Sequence, residues 1–142
     1  MIVLDTNVIS AVMQSKPEPR VVAWLDAQPS ESIWTTSISV FEVRYGLQTM
    51  PQGRRRSALQ EAFEQSLQVD LEGRVLDFDA VAAEEAASLS ARLRSAGRPV
   101  EFRDVLIAGI VTVRRGTLAT RNTKHFADAA VQLVNPWDFA PG

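Results

Sequence analysis

Ile2-Val3-Leu4 is a wholly apolar run that stops abruptly at three polar residues, Asp5-Thr6-Asn7. Ile2 and Val3 are β-branched, and an apolar run without alternation suits a strand buried on both faces, as in a parallel sheet. Parallel strands cannot be joined by tight hairpins, so a chain that opens this way must supply helices between its strands. Val8-Ile9-Ser10-Ala11-Val12-Met13 reads as the first of them. Asp5 is thereby presented where a central strand meets the helix that follows, the edge at which open α/β sheets bind ligands. Asp, Thr and Asn are also good helix caps, so Asp5 taken alone reads first as a cap; it is the recurrence of similar carboxylates at similar junctions that points further.

Strand and helix signals alternate from there on. Pro17 and Pro19 break the pattern. Val21, Val22, Trp24 and Leu25 then recur at helical spacing. Ile33-Trp34-Thr35 is a short second strand, and Thr36-Ser37 can cap the next helix, with Ile38, Phe41, Tyr45 and Met50 expected on one face up to Pro51. Leu59, Phe63, Leu67 and Leu71 follow at four-residue spacing, which predicts one long amphipathic helix after Gly53. Residues 74–78 (Arg74-Val75-Leu76-Asp77-Phe78) suit a third strand. Asp79 opens an Ala-rich helix through Leu89 and Leu93, closed by Gly97 and Pro99. Phe102 to Val113 predicts a strongly apolar helix, ended by Gly116. Thr117-Leu118-Ala119-Thr120 and Val131-Gln132-Leu133-Val134 are the fourth and fifth strands. No linker, repeat or low-complexity tract divides the chain, so the expectation is one α/β domain over residues 1–142 with a short, mostly parallel sheet of about five strands.

Composition narrows the chemistry. No apolar run approaches the roughly 18 residues needed to span a membrane, and no secretory leader pattern opens the chain. With no cysteine there is no disulfide, thiolate metal site or thiol nucleophile, which fits a cytoplasmic protein. The net charge of −2 does not itself point to nucleic acid. Of the 15 basic residues, however, only Lys16 and Lys124 are lysine; the rest are arginine, whose fork suits phosphates and bases. His125 is the only histidine, which excludes a His-pair metal site and, with no G-x-S-x-G elbow, argues against a serine hydrolase. Phosphate-cradling and dinucleotide-binding glycine loops are absent. His125, beside Phe126, reads as a packed or surface residue.

Two more acids share the setting of Asp5. Glu42 sits within Val40-Phe41-Glu42-Val43 on the helix after the second strand. Asp104 lies in the first turn of the most apolar helix, within Phe102-Arg103-Asp104-Val105-Leu106-Ile107. Acids rarely enter such surroundings unless paired or holding a metal. Asp104 could instead complement its helix dipole, and Glu42 could pair with Arg44. If all three share one sheet edge, their mutual repulsion demands a cation, and carboxylates without His or Cys partners favour Mg²⁺ or Mn²⁺. After the fourth strand, Asn122 can offer a neutral oxygen, and Arg121 or Lys124 can meet a phosphate; a plain polar turn at Asn122 is the alternative.

These stretches resemble the PIN-domain ribonucleases, and specifically the VapC/FitB-type toxins of bacterial toxin–antitoxin pairs. The resemblance rests on Leu4 to Ser10, Phe41 to Leu47, Gly97 to Val100 with Asp104 to Ala108, Ala119 to Asn122, and Asn135-Pro136-Trp137, in family order along nearly the whole chain. It implies a three-layer α/β/α PIN fold with its acids in one pocket, and Mg²⁺- or Mn²⁺-dependent hydrolysis of RNA. By that resemblance Asp5 and Asp104 match the principal metal-binding acids and Glu42 the third acid. Thr6, Asn7, Thr120, Asn122, Arg103 and Arg121 become supporting or substrate-contacting positions. Asn122 stands where some members carry a fourth Asp, and Arg103 is an unusual neighbour for Asp104, suited to touch substrate or a nearby acid. The resemblance also implies a homodimer, a small antitoxin partner that blocks the pocket, and DNA contact only through that antitoxin. The helices over 54–71 and 79–93 are packing surfaces for such partners or simply parts of the core. Two other functions fit parts of the pattern: a non-catalytic binding module on the same fold, and an aspartyl-phosphate phosphatase, which Asn7 disfavours because a second Asp is needed there.

Overall fold

The computed structural model describes residues 1–140; Pro141 and Gly142, the end of the expected domain, lie outside the described residues. The strands are β1 (Ile2–Leu4), β2 (Ile33–Thr36), β3 (Val75–Leu76), β4 (Thr117–Ala119) and β5 (Gln132–Val134). Between them run α1 (Thr6–Met13), α2 (Pro19–Asp26), α3 (Ser37–Thr49), α4 (Arg54–Gln65), α5 (Ala80–Ser95) and α6 (Phe102–Arg114). Every pairing is parallel, in the spatial order β3-β2-β1-β4-β5. From β1 the chain builds outward to β3 on one side, then returns to lay β4 and β5 on the other. The reversal falls between β1 and β4, which pair with Leu4 opposite Ala119. The crevice outside their carboxyl ends is the switch point at which such sheets bind ligands.

Period-two alternation along the strands separates two cores. Leu4 and Ala119 join Val8, Trp24, Val43 and Phe63 on one face of the sheet. Val3 and Leu118 join Leu89, Leu93, Ile107 and Val111 on the other. With α1 to α4 covering the first face and α5 and α6 the second, the architecture is the expected α/β/α sandwich.

Three local expectations are corrected. The third strand is two residues long instead of spanning 74–78. It is an edge strand, and the Phe78 N–H is drawn away to the Ser37 hydroxyl at 3.1 Å while the Arg74 guanidinium ties down the carbonyls of Ile33 and Ser30. In α3 the buried stripe is Ser39, Val43 and Leu47; Phe41 and Tyr45 are 66% and 63% exposed, their rings stacked against each other 6.1 Å apart on the solvent side. The cap fixes this rotation, because the Thr36 hydroxyl accepts the Ser39 N–H and draws Ser39 inward. The long helix after Gly53 stops being regular at Gln65 and passes into a wider turn over Ser66–Asp70, where the Leu71 N–H reaches the Ser66 carbonyl at 2.8 Å. A four-residue step overshoots an α-helical turn by about 40°, and the wider turn takes that overshoot back, so Leu67 and Leu71 both reach the core.

Among the described residues, no helix is long and apolar enough to cross a membrane.

Candidate active site

Four elements deliver the site. Asp5 ends β1, where its N–H still pairs with the Ala119 carbonyl at 2.9 Å, and it is fully buried. Its carboxylate does two things at once. Oδ1 accepts the Thr6 N–H at 2.8 Å and so caps α1, while Oδ2 accepts the Thr120 hydroxyl at 2.8 Å and lies 3.3 Å from Asn7 Nδ2. Capping and clustering are therefore compatible. Glu42 comes from the second turn of α3, where Thr6 donates its hydroxyl to Oε1 at 2.6 Å. Asp104, 2% exposed, comes from the first turn of α6.

The three acids meet at one cation, and it is Arg103. Its Nη2 lies 2.8 Å from Asp5 Oδ1 and 2.6 Å from Glu42 Oε1. Its Nε donates to Glu42 Oε2 at 2.7 Å and its Nη1 to Asp104 Oδ1 at 2.5 Å. Asp5, Glu42 and Asp104 thus occupy one spot, as expected, and Glu42 pairs with Arg103 instead of Arg44. Arg44 turns outward to pair with Glu64, over the ring of Phe63. When ionised, the acids set three negative charges against one guanidinium, which leaves the cleft acidic.

Burial lowers the Arg103 pKa, but hydrogen bonding to Glu42 and the charge and hydrogen bond of Asp5 together outweigh it and hold the group above its ordinary value. Asp104 moves up from its ordinary range, because burial penalises its charged form by more than Arg103 and, more weakly, His125 favour it. A folded-state pKa above the unfolded one gives stability that is complete below the unfolded pKa and lost as pH rises through the folded pKa. In metal-free protein, Asp104→Asn escapes that loss. Its thermal midpoint should exceed the parent's near neutral pH, and the gap should close as pH falls through Asp104's raised pKa. Calorimetric melts at a series of pH values check this; a gap that widens on acidification contradicts it.

The supporting positions fall around the acids. The Thr120 hydroxyl, fully buried, also accepts the Asn122 N–H at 3.0 Å, and Asn7 Oδ1 accepts the Arg121 N–H at 3.1 Å. Arg121 carries its guanidinium over the Trp137 ring, 5.1 Å from its centre. Asn7, Arg121, Asn122 and Trp137 line a cleft of about 610 Å³ that also takes in Ser10, Gln14, Glu101 and His125, with Thr120 behind it. His125 is exposed, as a surface residue should be, yet its Nδ1 stands 3.6 Å from Asp104 Oδ2. Nothing in its local sequence marks that proximity, which arises only when β4 and the turn after it fold beside α6. Ser39 was also unmarked; its hydroxyl lies 3.0 Å from that of Thr6.

The donor set suits a hard divalent ion, since the oxygens are carboxylates from three separate elements converging on one point. Their spacing is set by the guanidinium. Among the described residues, no three Asp, Glu or His side chains already stand close enough to enclose an ion. An ion would need the acids to draw in and Arg103 to leave.

A family model described as PIN domain matches residues 2–132. The chain is 40% identical over 138 residues to VapC ribonuclease Y4jK of Sinorhizobium fredii, covering 97% of this chain and 99% of that one. It is 37% identical over 137 residues to Toxin FitB of Neisseria gonorrhoeae, covering 96% and 99%. Among solved structures, FitAB bound to the IR36 DNA fragment superposes with a TM-score of 0.89 at 36% identity, covering 99% of both chains.

Proposed function

The chain belongs to the PIN-domain family, and from that premise we propose that it is a Mg²⁺- or Mn²⁺-dependent ribonuclease, the toxin of a toxin–antitoxin pair. One observation carries the proposal: Asp5, Glu42 and Asp104 arrive from β1, α3 and α6 at a single cation-holding point in the switch-point crevice. The relatives' names, VapC ribonuclease and Toxin FitB, support the same reading.

Asp5 and Asp104 would hold the metal, with Glu42 completing the set. Bound there, a divalent ion supplies Lewis acidity toward a phosphate oxygen and a water of lowered pKa. The chain's own groups do the rest. Thr120 and Asn7 hold the Asp5 carboxylate in one orientation through Oδ2, so Oδ1, which now meets Arg103, is the oxygen an ion would use. Glu42 is the most exposed of the three acids, its side chain 27% exposed, and is placed to orient a water or take its proton at Oε2. Arg121, braced on Trp137, sits on the rim as a contact for an incoming phosphate, with Asn122 beside it as a neutral hydrogen-bonding group.

The partners follow the relatives. FitB is seen in a FitAB complex on DNA, which supports a small antitoxin for this chain and DNA contact through that antitoxin. The chain's own net charge of −2 supplies no bulk attraction to duplex DNA. A homodimer is part of the same proposal, and the stacked pair Phe41 and Tyr45 with exposed Phe102 gives it apolar surface to cover.

A second reading, a catalytically silent binding module, draws on the guanidinium already seated among the acids. The two part on one experiment. Purified, antitoxin-free protein is incubated with RNA in Mg²⁺, in Mn²⁺ or in EDTA, and the new RNA ends are sequenced. Cleavage at defined sites with metal and none in EDTA supports the ribonuclease. Cleavage indifferent to EDTA removes the metal, and no cleavage with either ion favours the binding module.

A further inference from the structure

The cation at the centre of the cleft belongs to the chain itself, and its hydrogen bonds use the oxygens a metal would use. Arg103 touches all three acids: Nε and Nη2 fork onto Glu42, Nη2 also meets Asp5 Oδ1, and Nη1 meets Asp104 Oδ1. Magnesium binds oxygen at about 2.1 Å. The Arg103 nitrogens stand 2.5–2.8 Å from Asp5 Oδ1, Glu42 Oε1 and Asp104 Oδ1. An ion gripped by those oxygens would overlap the guanidinium, so the two cannot be held together. We propose that Arg103 is a built-in competitor of the metal: its guanidinium keeps the three acids together in metal-free protein and must swing out before an ion enters. This rests on the metal-dependent reading given above.

The surroundings suit an exchange. Asp5 and Asp104 are buried, and buried carboxylates left without a cation are costly. An internal guanidinium offsets part of that cost, and on this proposal it stands in for the metal while the chain folds. Arg103 is nevertheless no permanent core element. Its side chain is 27% exposed, it stands in the first turn of α6, and it borders the same 610 Å³ cleft, into which a long, flexible side chain can rotate without any backbone movement. The hydrogen bonds that hold Asp5 to Thr6 and Thr120 do not pass through Arg103, so they can persist while the cation changes.

The consequence is a metal threshold. When the competent form is a minor population, apparent affinity falls by that fraction. If the seated guanidinium outnumbers the released one by about ten to one, metal binds about tenfold more weakly than the acids alone would allow.

The test uses the full chain free of antitoxin. Titration calorimetry with Mn²⁺ and with Mg²⁺ compares the parent with Arg103→Gln, and melts follow both proteins with and without ion. The variant should bind Mn²⁺ about tenfold or more tightly. It should melt lower than the parent without metal and regain that loss in saturating Mn²⁺. Should the variant fold poorly, the parent alone decides the matter. In ¹⁵N-labelled parent, the Arg103 Nε–H signal should leave its hydrogen-bonded position on saturation with Mg²⁺. Equal or weaker Mn²⁺ binding by the variant, or an Arg103 signal indifferent to bound Mg²⁺, overturns the competitor while the metal-dependent reading stands. If neither protein binds either ion, both proposals fall.

Discussion

Asp5→Asn should reduce RNA cleavage by more than about a hundredfold, the upper end of what losing a mere supporting partner of a metal ligand costs. Asp5 has no substitute in the cleft. Its N–H pairs with the Ala119 carbonyl at the end of the sheet, and its two carboxylate oxygens are held by Thr6 and Thr120. The replacement keeps the shape and the Oδ1 acceptor for the Thr6 N–H, and Asn caps helices as well as Asp does. What it removes is one negative charge from a cluster that must hold a divalent ion. The fold should survive at a cost of about 1–3 kcal/mol, because the Asn amide places a donor where Oδ2 accepts from Thr120 and Asn7 and no longer offsets the Arg103 charge. Cleavage assays beside circular-dichroism melts separate the two effects. Full activity in Asp5→Asn, with the parent shown to need metal, contradicts the role given to this residue.

The second large effect concerns stability. Gly109 lies midway along α6, where α6 crosses α5 at close range. A Cβ built on Gly109 would meet the Ala82 carbonyl oxygen at 2.8 Å and the Ala86 Cβ at 2.9 Å. Neither neighbour is a flexible side chain, so one helix must shift. Overpacking of this kind costs about 1–3 kcal/mol, against which Ala recovers up to about 1 kcal/mol of helix propensity. With both contacts under 3.0 Å the overpacking falls in the upper half of that range, so Gly109→Ala should lose about 1–2 kcal/mol net, or several degrees of thermal midpoint for a chain of this length. Because α6 also carries Arg103 and Asp104, the same shift should weaken cleavage without touching the cleft chemically. Denaturant melts decide the first part; an unchanged or raised midpoint contradicts the close-packing account.

Much of this was legible because it is local. The apolar run ended by Asp5 had to be a buried strand, and the apolar helix carrying Asp104 had nowhere to go but against the sheet. Order along the chain then placed Glu42 after the second strand. What was illegible depends on tertiary contact. The apolar pattern of α3 offered Phe41 and Tyr45 as readily as Val43 and Leu47, and only the capping of Ser39 chose between them. Arg103 stood out as an odd neighbour for Asp104, but its reach across to Asp5 and Glu42 depends on how α6 docks beside β1 and α3. His125 carried no signal at all, because its nearness to Asp104 is made by folding alone.

The claim beneath all of this is that side chains from β1, α3 and α6 form one place for one cation. Crystals of the chain grown or soaked with Mn²⁺, with data collected at the manganese absorption edge, test it directly. The account predicts a single anomalous peak among the carboxylates of Asp5, Glu42 and Asp104, with the Arg103 guanidinium displaced into the cleft. Manganese bound elsewhere, or Arg103 still seated among the acids at saturating Mn²⁺, would contradict it.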